Sequence, residues 1–242
     1  LKNIRIYQAG DYQPGSLIQL TESAGQHVGV VLRMLPGEKI TLFSGNNLEF
    51  DAVISTVHKK KVSVEILSVA EVNRESPLAI HLAQAMSKGE RMEWVVQKAV
   101  ELGVSSIQPL VTRRCVVKLD QQRAAKKIAQ WQAIAVAACE QSGRNQLPLI
   151  HPILSFEEYL AQNQDVDKLI LHPQTEKSWR HYSFNFDGLS LLIGPEGGFS
   201  QDEVRQALAA GFMPLSLGPR VLRTETAAIA AISILQAAGG DL

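Results

Sequence analysis

Two glycine-rich segments carry the residue types best suited to chemistry. The first is Leu191-Leu192-Ile193-Gly194-Pro195-Glu196-Gly197-Gly198-Phe199-Ser200. An unbroken apolar run empties into a Gly-Pro-Glu-Gly-Gly loop, then into a helix predicted to begin near Ser200. Such a run reads as a strand buried on both faces. Glycine lets backbone approach a ligand with no Cβ in between, and in a parallel sheet ligands sit beyond the C-terminal ends of the strands. Taken alone, the pattern fits a strand-to-helix turn that merely needs glycine equally well. The second segment is Leu217-Gly218-Pro219-Arg220-Val221-Leu222-Arg223-Thr224-Glu225-Thr226-Ala227. Here too a strand enters a glycine loop that enters a helix. Thr224 and Thr226 are candidate helix caps, but a cap explains one threonine and leaves Arg220, Arg223 and Glu225 unaccounted for. Arginines at such a point suit phosphate or base recognition.

Other chemistries find no foothold. The sequence holds no G-x-G-x-x-G, no G-x-x-x-x-G-K-[ST] and no H-E-x-x-H, so dinucleotide, P-loop and zinc-peptidase readings lose support. It has no G-x-S-x-G elbow either. Its six histidines (27, 58, 81, 151, 172 and 181) lack metal-ligand spacing, and no metal is expected. Cys115 and Cys139 form no C-x-x-C and read as buried free thiols of a reducing compartment.

These loops need elements to position them. Residues 1–72 read as β-rich, with apolar runs at Ile4–Tyr7, Leu17–Leu20, Ile40–Phe43, Phe50–Val57 and Val62–Val69. Val62-Ser63-Val64-Glu65-Ile66 alternates like a half-buried strand. One helix interrupts them, capped by Thr21 and running to about Met34. Several short strands closing on one helix predict a small barrel. The polar stretch Glu71–Pro77 reads as a linker. Beyond it the pattern alternates: strand Leu78–Gln84, helix Glu90–Leu102 ended by Gly103, strand Val104–Val111, and a long helix from Asp120 to Gln141. Strands Lys168–His172 and Leu189–Ile193, helix Gln201–Ala210, strand Met213–Leu217 and helix Thr226–Ala238 complete it. That alternation predicts a mostly parallel sheet covered by helices. The chain therefore divides into 1–72 and 73–242.

Bulk properties bound the partners. With 45% hydrophobic and 20% charged residues, the composition is that of an ordinary globular chain. No apolar stretch approaches a membrane span, and residues 1–10 lack a signal-peptide core. The expected location is cytoplasmic. The 24 basic and 24 acidic residues cancel, which argues against a generic nucleic-acid binder. The distribution is uneven, however: residues 86–127 hold nine Lys/Arg against four Asp/Glu, and residues 155–242 hold six against eleven. The basic middle is either a phosphate-contacting face or a solvated helix surface.

The two glycine segments together resemble the paired signature of the RsmE family, small-subunit ribosomal RNA uridine-N3 methyltransferases of the SPOUT superfamily. The resemblance spans nearly the whole chain. It includes His27-Val28 with Val31-Leu32-Arg33, Lys88-Gly89-Glu90-Arg91-Met92-Glu93, Gln97-Lys98-Ala99-Val100-Glu101-Leu102-Gly103, Ala138-Cys139-Glu140-Gln141-Ser142-Gly143-Arg144 and Leu171-His172-Pro173. It implies an α/β chain: a small PUA-like β-barrel that helps bind RNA, then a parallel-sheet SPOUT domain with a trefoil knot. It implies S-adenosyl-L-methionine (SAM) as cofactor, ribosomal RNA of the small subunit as substrate, and a homodimer. The residues it places at the cofactor are Leu171, His172, Ile193, Gly194, Pro195, Glu196, Gly197, Gly198, Leu217, Gly218, Val221, Leu222, Arg223 and Thr226. Arg33, Arg113, Arg114, Lys118 and Arg144 are the expected RNA contacts.

The reaction so implied sets requirements. Uridine N3 carries a proton at neutral pH and is a poor nucleophile until that proton leaves. The site must stabilise charge on the ring and align it with the methyl group. Arg220 and Arg223 are candidates for the positive charge, since Arg stays protonated. Glu196 and Glu225 are candidate proton acceptors; each has an alternative reading as a group that bonds loop amides at a helix start. Another SPOUT enzyme acting on a ribose or a transfer RNA, and a non-catalytic ribosome-assembly protein that binds RNA, are the rival readings.

Overall fold

The computed structural model describes residues 4–115, 120–165, 167–172, 175–183 and 188–242. The chain forms two compact units that do not follow one cut after residue 72. The first is Leu1–Glu75 with Cys139–Leu147, the second Ser76–Ala138 with Pro148–Leu242.

In the first unit, strands β1 (Arg5–Tyr7), β2 (Leu17–Gln19), β3 (Lys39–Phe43), β4 (Leu48–His58) and β5 (Lys61–Glu71) form one sheet in the order β1-β3-β4-β5-β2. Alternation drives it: Phe50, Ala52 and Ile54 of β4 and Val62, Val64 and Ile66 of β5 face one core. Helix α1 (Glu22–Gln26) closes on that core. Thr21 caps it by accepting from the Ala24 N–H at 3.3 Å, as its side chain predicts. The helix then widens into a π turn, His27–Val31. The expected barrel closure takes an unexpected form. A side chain bridges the two sheet edges: the Gln8 amide accepts from the Thr21 N–H at 3.0 Å and donates to the Gln19 carbonyl at 3.4 Å.

In the second unit, every ladder of the seven-stranded sheet is parallel. Its strands are β6 (Ile80–Ala85), β7 (Ser106–Val111), β8 (Leu149–Ile150), β9 (Leu154–Ser155), β10 (Asp167–Leu171), β11 (Leu189–Ile193) and β12 (Met213–Leu215). The order is β12-β10-β11-β6-β7-β8, with β9 also on β7. All five residues of central β11 are buried, Ser190 included, which is why Leu191–Ile193 reads as an unbroken apolar run. The helices are α2 (Arg91–Glu101), α3 (Gln121–Ser142), α4 (Phe156–Gln162), α5 (Gln201–Ala209) and α6 (Thr224–Gly239). Asp120 caps α3, its carboxylate accepting from the Arg123 N–H at 2.8 Å. Because all strands run one way, the loops after β6, β10, β11 and β12 meet at one edge. Among the described residues no helix is long and apolar enough to cross a membrane, and no group of His, Cys, Asp and Glu could hold a metal.

Three local expectations differ. β12 ends at Leu215 rather than Leu217, and α6 starts two residues early, at Thr224. Neither Thr224 nor Thr226 caps α6. The cap position is Arg223, without a side-chain bond. The short elements β8, β9 and α4 were not expected.

Candidate active site

The converging loops enclose a cavity of about 680 Å³, within the range that binds cofactor-sized ligands. Leu171 and His172 form one side at the end of β10; Ile193, Gly194, Pro195, Glu196, Gly197 and Gly198 form another after β11. Leu217, Gly218, Arg220, Val221 and Leu222, after β12, face them. Gly194 and Gly218 are glycine for different reasons. A Cβ on Gly194 would sit 3.2 Å from the Phe199 ring, tighter than ordinary contact. Gly218 has φ +103 with open space around it, a conformation that side-chain-bearing residues rarely adopt. Arg223, Glu225 and Thr226 do not line the cavity. Arg114, Phe199, Gln201, Val204, Arg205, Leu215, Thr224 and Ala227 do, and sequence reasoning had not placed them there.

The polar groups of the rim are tightly committed. The Glu196 carboxylate accepts from the Lys88 N–H at 3.1 Å and from Arg91 Nη1 at 2.8 Å. Burial works against its ionised form, but backbone N–H groups and Arg91 outweigh it and hold the carboxyl below its usual range. That makes Glu196 a weak base and a firm brace. Arg91 also lies 3.9 Å from Glu225 Oε1, while Glu225 Oε2 is buried with no hydrogen-bond partner among the described residues. Arg114 Nη1 donates to the Gly197 carbonyl at 2.7 Å. Thr224 Oγ1, instead of capping its helix, donates to the Gly194 carbonyl at 2.7 Å.

This chain is similar throughout its length to proteins of one kind. A family model described as an RNA methyltransferase domain matches residues 74–236, and one described as an RNA methyltransferase PUA domain matches residues 20–67. Ribosomal RNA small subunit methyltransferase E of Buchnera aphidicola subsp. Schizaphis graminum (strain Sg) is 38% identical over 98% of this chain and 97% of that one. The chain belongs to the ribosomal RNA small subunit methyltransferase E family. The relative of the same name in Bacillus subtilis (strain 168) is 36% identical over 89% of this chain and 88% of its own. Among solved structures, a putative methyltransferase of Legionella pneumophila in complex with bound SAM shares 59% identity over the whole of both chains, with a TM-score of 0.98. A ribosomal RNA small subunit methyltransferase E of Neisseria gonorrhoeae bound to S-adenosyl methionine shares 39% identity over 99% of both, with a TM-score of 0.93. The fold is thus that of the family: a PUA-like β unit and a parallel-sheet SPOUT methyltransferase unit.

The expected RNA contacts of this family member fall in different places. Arg33 is exposed on the first unit, with a left-handed φ of 54°. Arg113 is exposed but pairs with Asp202 at 2.8 Å. Arg114 belongs to the cavity wall, and Lys118 lies outside the described residues. Arg144 requires correction. It is only 5% exposed, and its guanidinium pairs with Glu75 inside the first unit, Nε to Oε1 at 3.2 Å. Beside it, Asn145 donates to the Val72 carbonyl at 2.7 Å, and Glu140 accepts from the Tyr7 N–H at 3.0 Å. The segment 139–147 is a structural clip, so Arg144 is not a surface charge. Arg144→Ala leaves the half-buried Glu75 carboxylate without this partner and is expected to destabilise the first unit by about 1–3 kcal/mol. Urea unfolding measures that loss. An Arg144→Ala chain of unchanged stability but weaker RNA binding would restore the surface reading.

Proposed function

We propose that this chain methylates N3 of a uridine in small-subunit ribosomal RNA, with SAM as methyl donor, in the cytoplasm. The observation that carries the reading is the cavity where two strand-to-glycine-loop segments meet. Its residues fit SAM: Leu171, Ile193, Leu215 and Leu217 supply an apolar wall, and the glycines of both loops on the cavity wall, Gly194, Gly197, Gly198 and Gly218, let a ligand approach closely. SAM supplies a methyl group already activated on a sulfonium. The chain's part is to hold that group and to orient uracil against it. Arg220, on the cavity wall, and Arg223, at the start of α6, stabilise the anionic ring. Glu196 lines the cavity but is a weak base, since its partners favour its ionised form; Glu225 stands behind the cavity wall, beside Arg91. As the methyl group leaves sulfur for N3, the N3 proton is lost to solvent or to one of these two carboxylates. The threading of 216–223 from edge strand β12 back to the end of β11 supports a trefoil knot around this site.

RNA contacts are assigned to Arg33 on the first unit and to Arg113, Arg114 and Lys118 on the second. Phosphate contacts release counterions, so log affinity falls with log salt by about 0.7–0.9 per contact. Neutralising Arg113, Arg114 and Lys118 together is expected to flatten that slope and weaken binding across sequences. An unchanged slope in filter-binding assays excludes them. The small residues along α6 and Ala137 of α3 support a homodimer, which sedimentation at micromolar concentration tests; Ala138, expected beside them, is buried within the chain. Calorimetry with SAM tests the reading itself. Micromolar or tighter binding is expected of a working site, and absence of binding indicates an RNA-binding protein with a relic pocket.

A further inference from the structure

A buried chain of three hydrogen-bonding groups joins the two glycine loops. Gln84, on β6 opposite Ile193 in register, is fully buried. Its amide Nε2 donates to the Ala85 carbonyl at 3.1 Å and to Thr224 Oγ1 at 3.0 Å. Thr224, 5% exposed, donates in turn to the Gly194 carbonyl at 2.7 Å. The direction of this relay is fixed by proton count. A hydroxyl has one hydrogen, and here it goes to Gly194, so Thr224 must accept from Gln84. The Gly194 carbonyl precedes Pro195, whose nitrogen has no hydrogen to offer. Orienting the amide this way leaves Gln84 Oε1 buried without a partner among the described residues. A local cost of that kind asks for an explanation. Gly194 opens the loop after β11, and Thr224 closes the loop after β12. Both line the cavity.

We infer that Gln84 is a positioning residue: acting through Thr224, it fixes the separation of the two glycine loops and thereby the affinity for the cofactor. The inference rests on the reading that this cavity binds SAM. Gln84 touches neither reacting partner; its amide holds a hydroxyl, which holds a loop carbonyl.

The test uses the full chain, titrated calorimetrically with SAM, with the melting temperature of the unliganded protein recorded alongside. Thr224→Val keeps the shape and removes the hydroxyl. Gln84→Glu keeps the size but turns the donor into an acceptor, drawing the Thr224 proton away from Gly194. Each is expected to weaken SAM binding about tenfold, the scale of one buried hydrogen bond with its stranded partner. The double variant is expected to be no weaker than the worse single, because both break one relay. Thr224→Ser is expected to recover most of the affinity lost in Thr224→Val, and the KM for RNA is expected to stay constant throughout. Should Gln84→Glu fail to fold, the Val and Ser pair at 224 still decides. A lowered melting temperature with unchanged SAM affinity in Thr224→Val means the relay is merely structural and overturns the inference. A wild-type chain that binds no SAM overturns the proposed function instead.

Discussion

Replacing Gly218 by valine is expected to weaken SAM binding by roughly 10- to 100-fold, the effect of about 1–3 kcal/mol of backbone strain. Gly218 sits at φ +103 on the cavity wall with nothing within 4 Å of the position a Cβ would take. The obstacle is therefore conformational rather than steric: a branched residue leaves that φ, and the loop that carries Arg220–Leu222 moves with it. Gly194→Val is expected to reach the same end by another route. Its Cβ would press on the Phe199 ring and the Phe199 backbone nitrogen, at 3.2 and 3.3 Å, and push the Gly194–Gly198 loop off its seat. Circular dichroism should show both variants folded, since neither glycine belongs to the cores around β4 and β11. Wild-type affinity in both would remove the two loops from the cofactor site.

Arg220→Ala is expected to lower the rate of methyl transfer by roughly 100- to 1000-fold, the scale of losing one donor to a developing anion, while RNA affinity changes only a few-fold. Arg220 lines the cavity, has no ion-pair partner among the described residues, and carries a planar guanidinium suited to an anionic ring. A contact that matters mainly in the transition state lowers kcat and kcat/KM together. The same split is expected of Arg223→Ala, to a smaller degree, because Arg223 stands outside the cavity at the cap of α6. Single-turnover rates and filter binding on the same variants separate the two quantities. A variant with intact turnover and weakened RNA binding would turn that arginine into a phosphate contact.

Much of this arrangement was legible in the sequence because it rests on short-range patterns. The apolar run Leu191–Ile193, the alternation of Val62–Ile66, the caps at Thr21 and Asp120 and the two glycine loops are local signals, and each sits where its pattern says. Helix α4 carried one too: Ser155 and Glu158 form a reciprocal capping box, and that Ser-x-x-Glu spacing could have found it. Contacts across long sequence separations were not legible. Glu75 lies 69 residues from Arg144, and without that partner in view Arg144 reads as an RNA contact. For the same reason a single boundary missed the return of Cys139–Leu147 to the first unit. Gln84 gave no sign of its role, since one amide in a strand looks like any other until Thr224, 140 residues on, meets it. Arg91 was visible only as part of a resemblance; its bridge between Glu196 and Glu225 appears with the fold. Threading is likewise beyond periodicity, which describes elements and not the path between them.

The most direct test of the account is methylation of small ribosomal subunits from a strain lacking this protein, using purified chain and SAM, followed by nucleoside digestion and mass spectrometry. The account predicts a single 3-methyluridine per subunit, formed only when active chain is present. A 2′-O-methylated nucleoside, methylation confined to transfer RNA, or no transfer at all with SAM bound would contradict it.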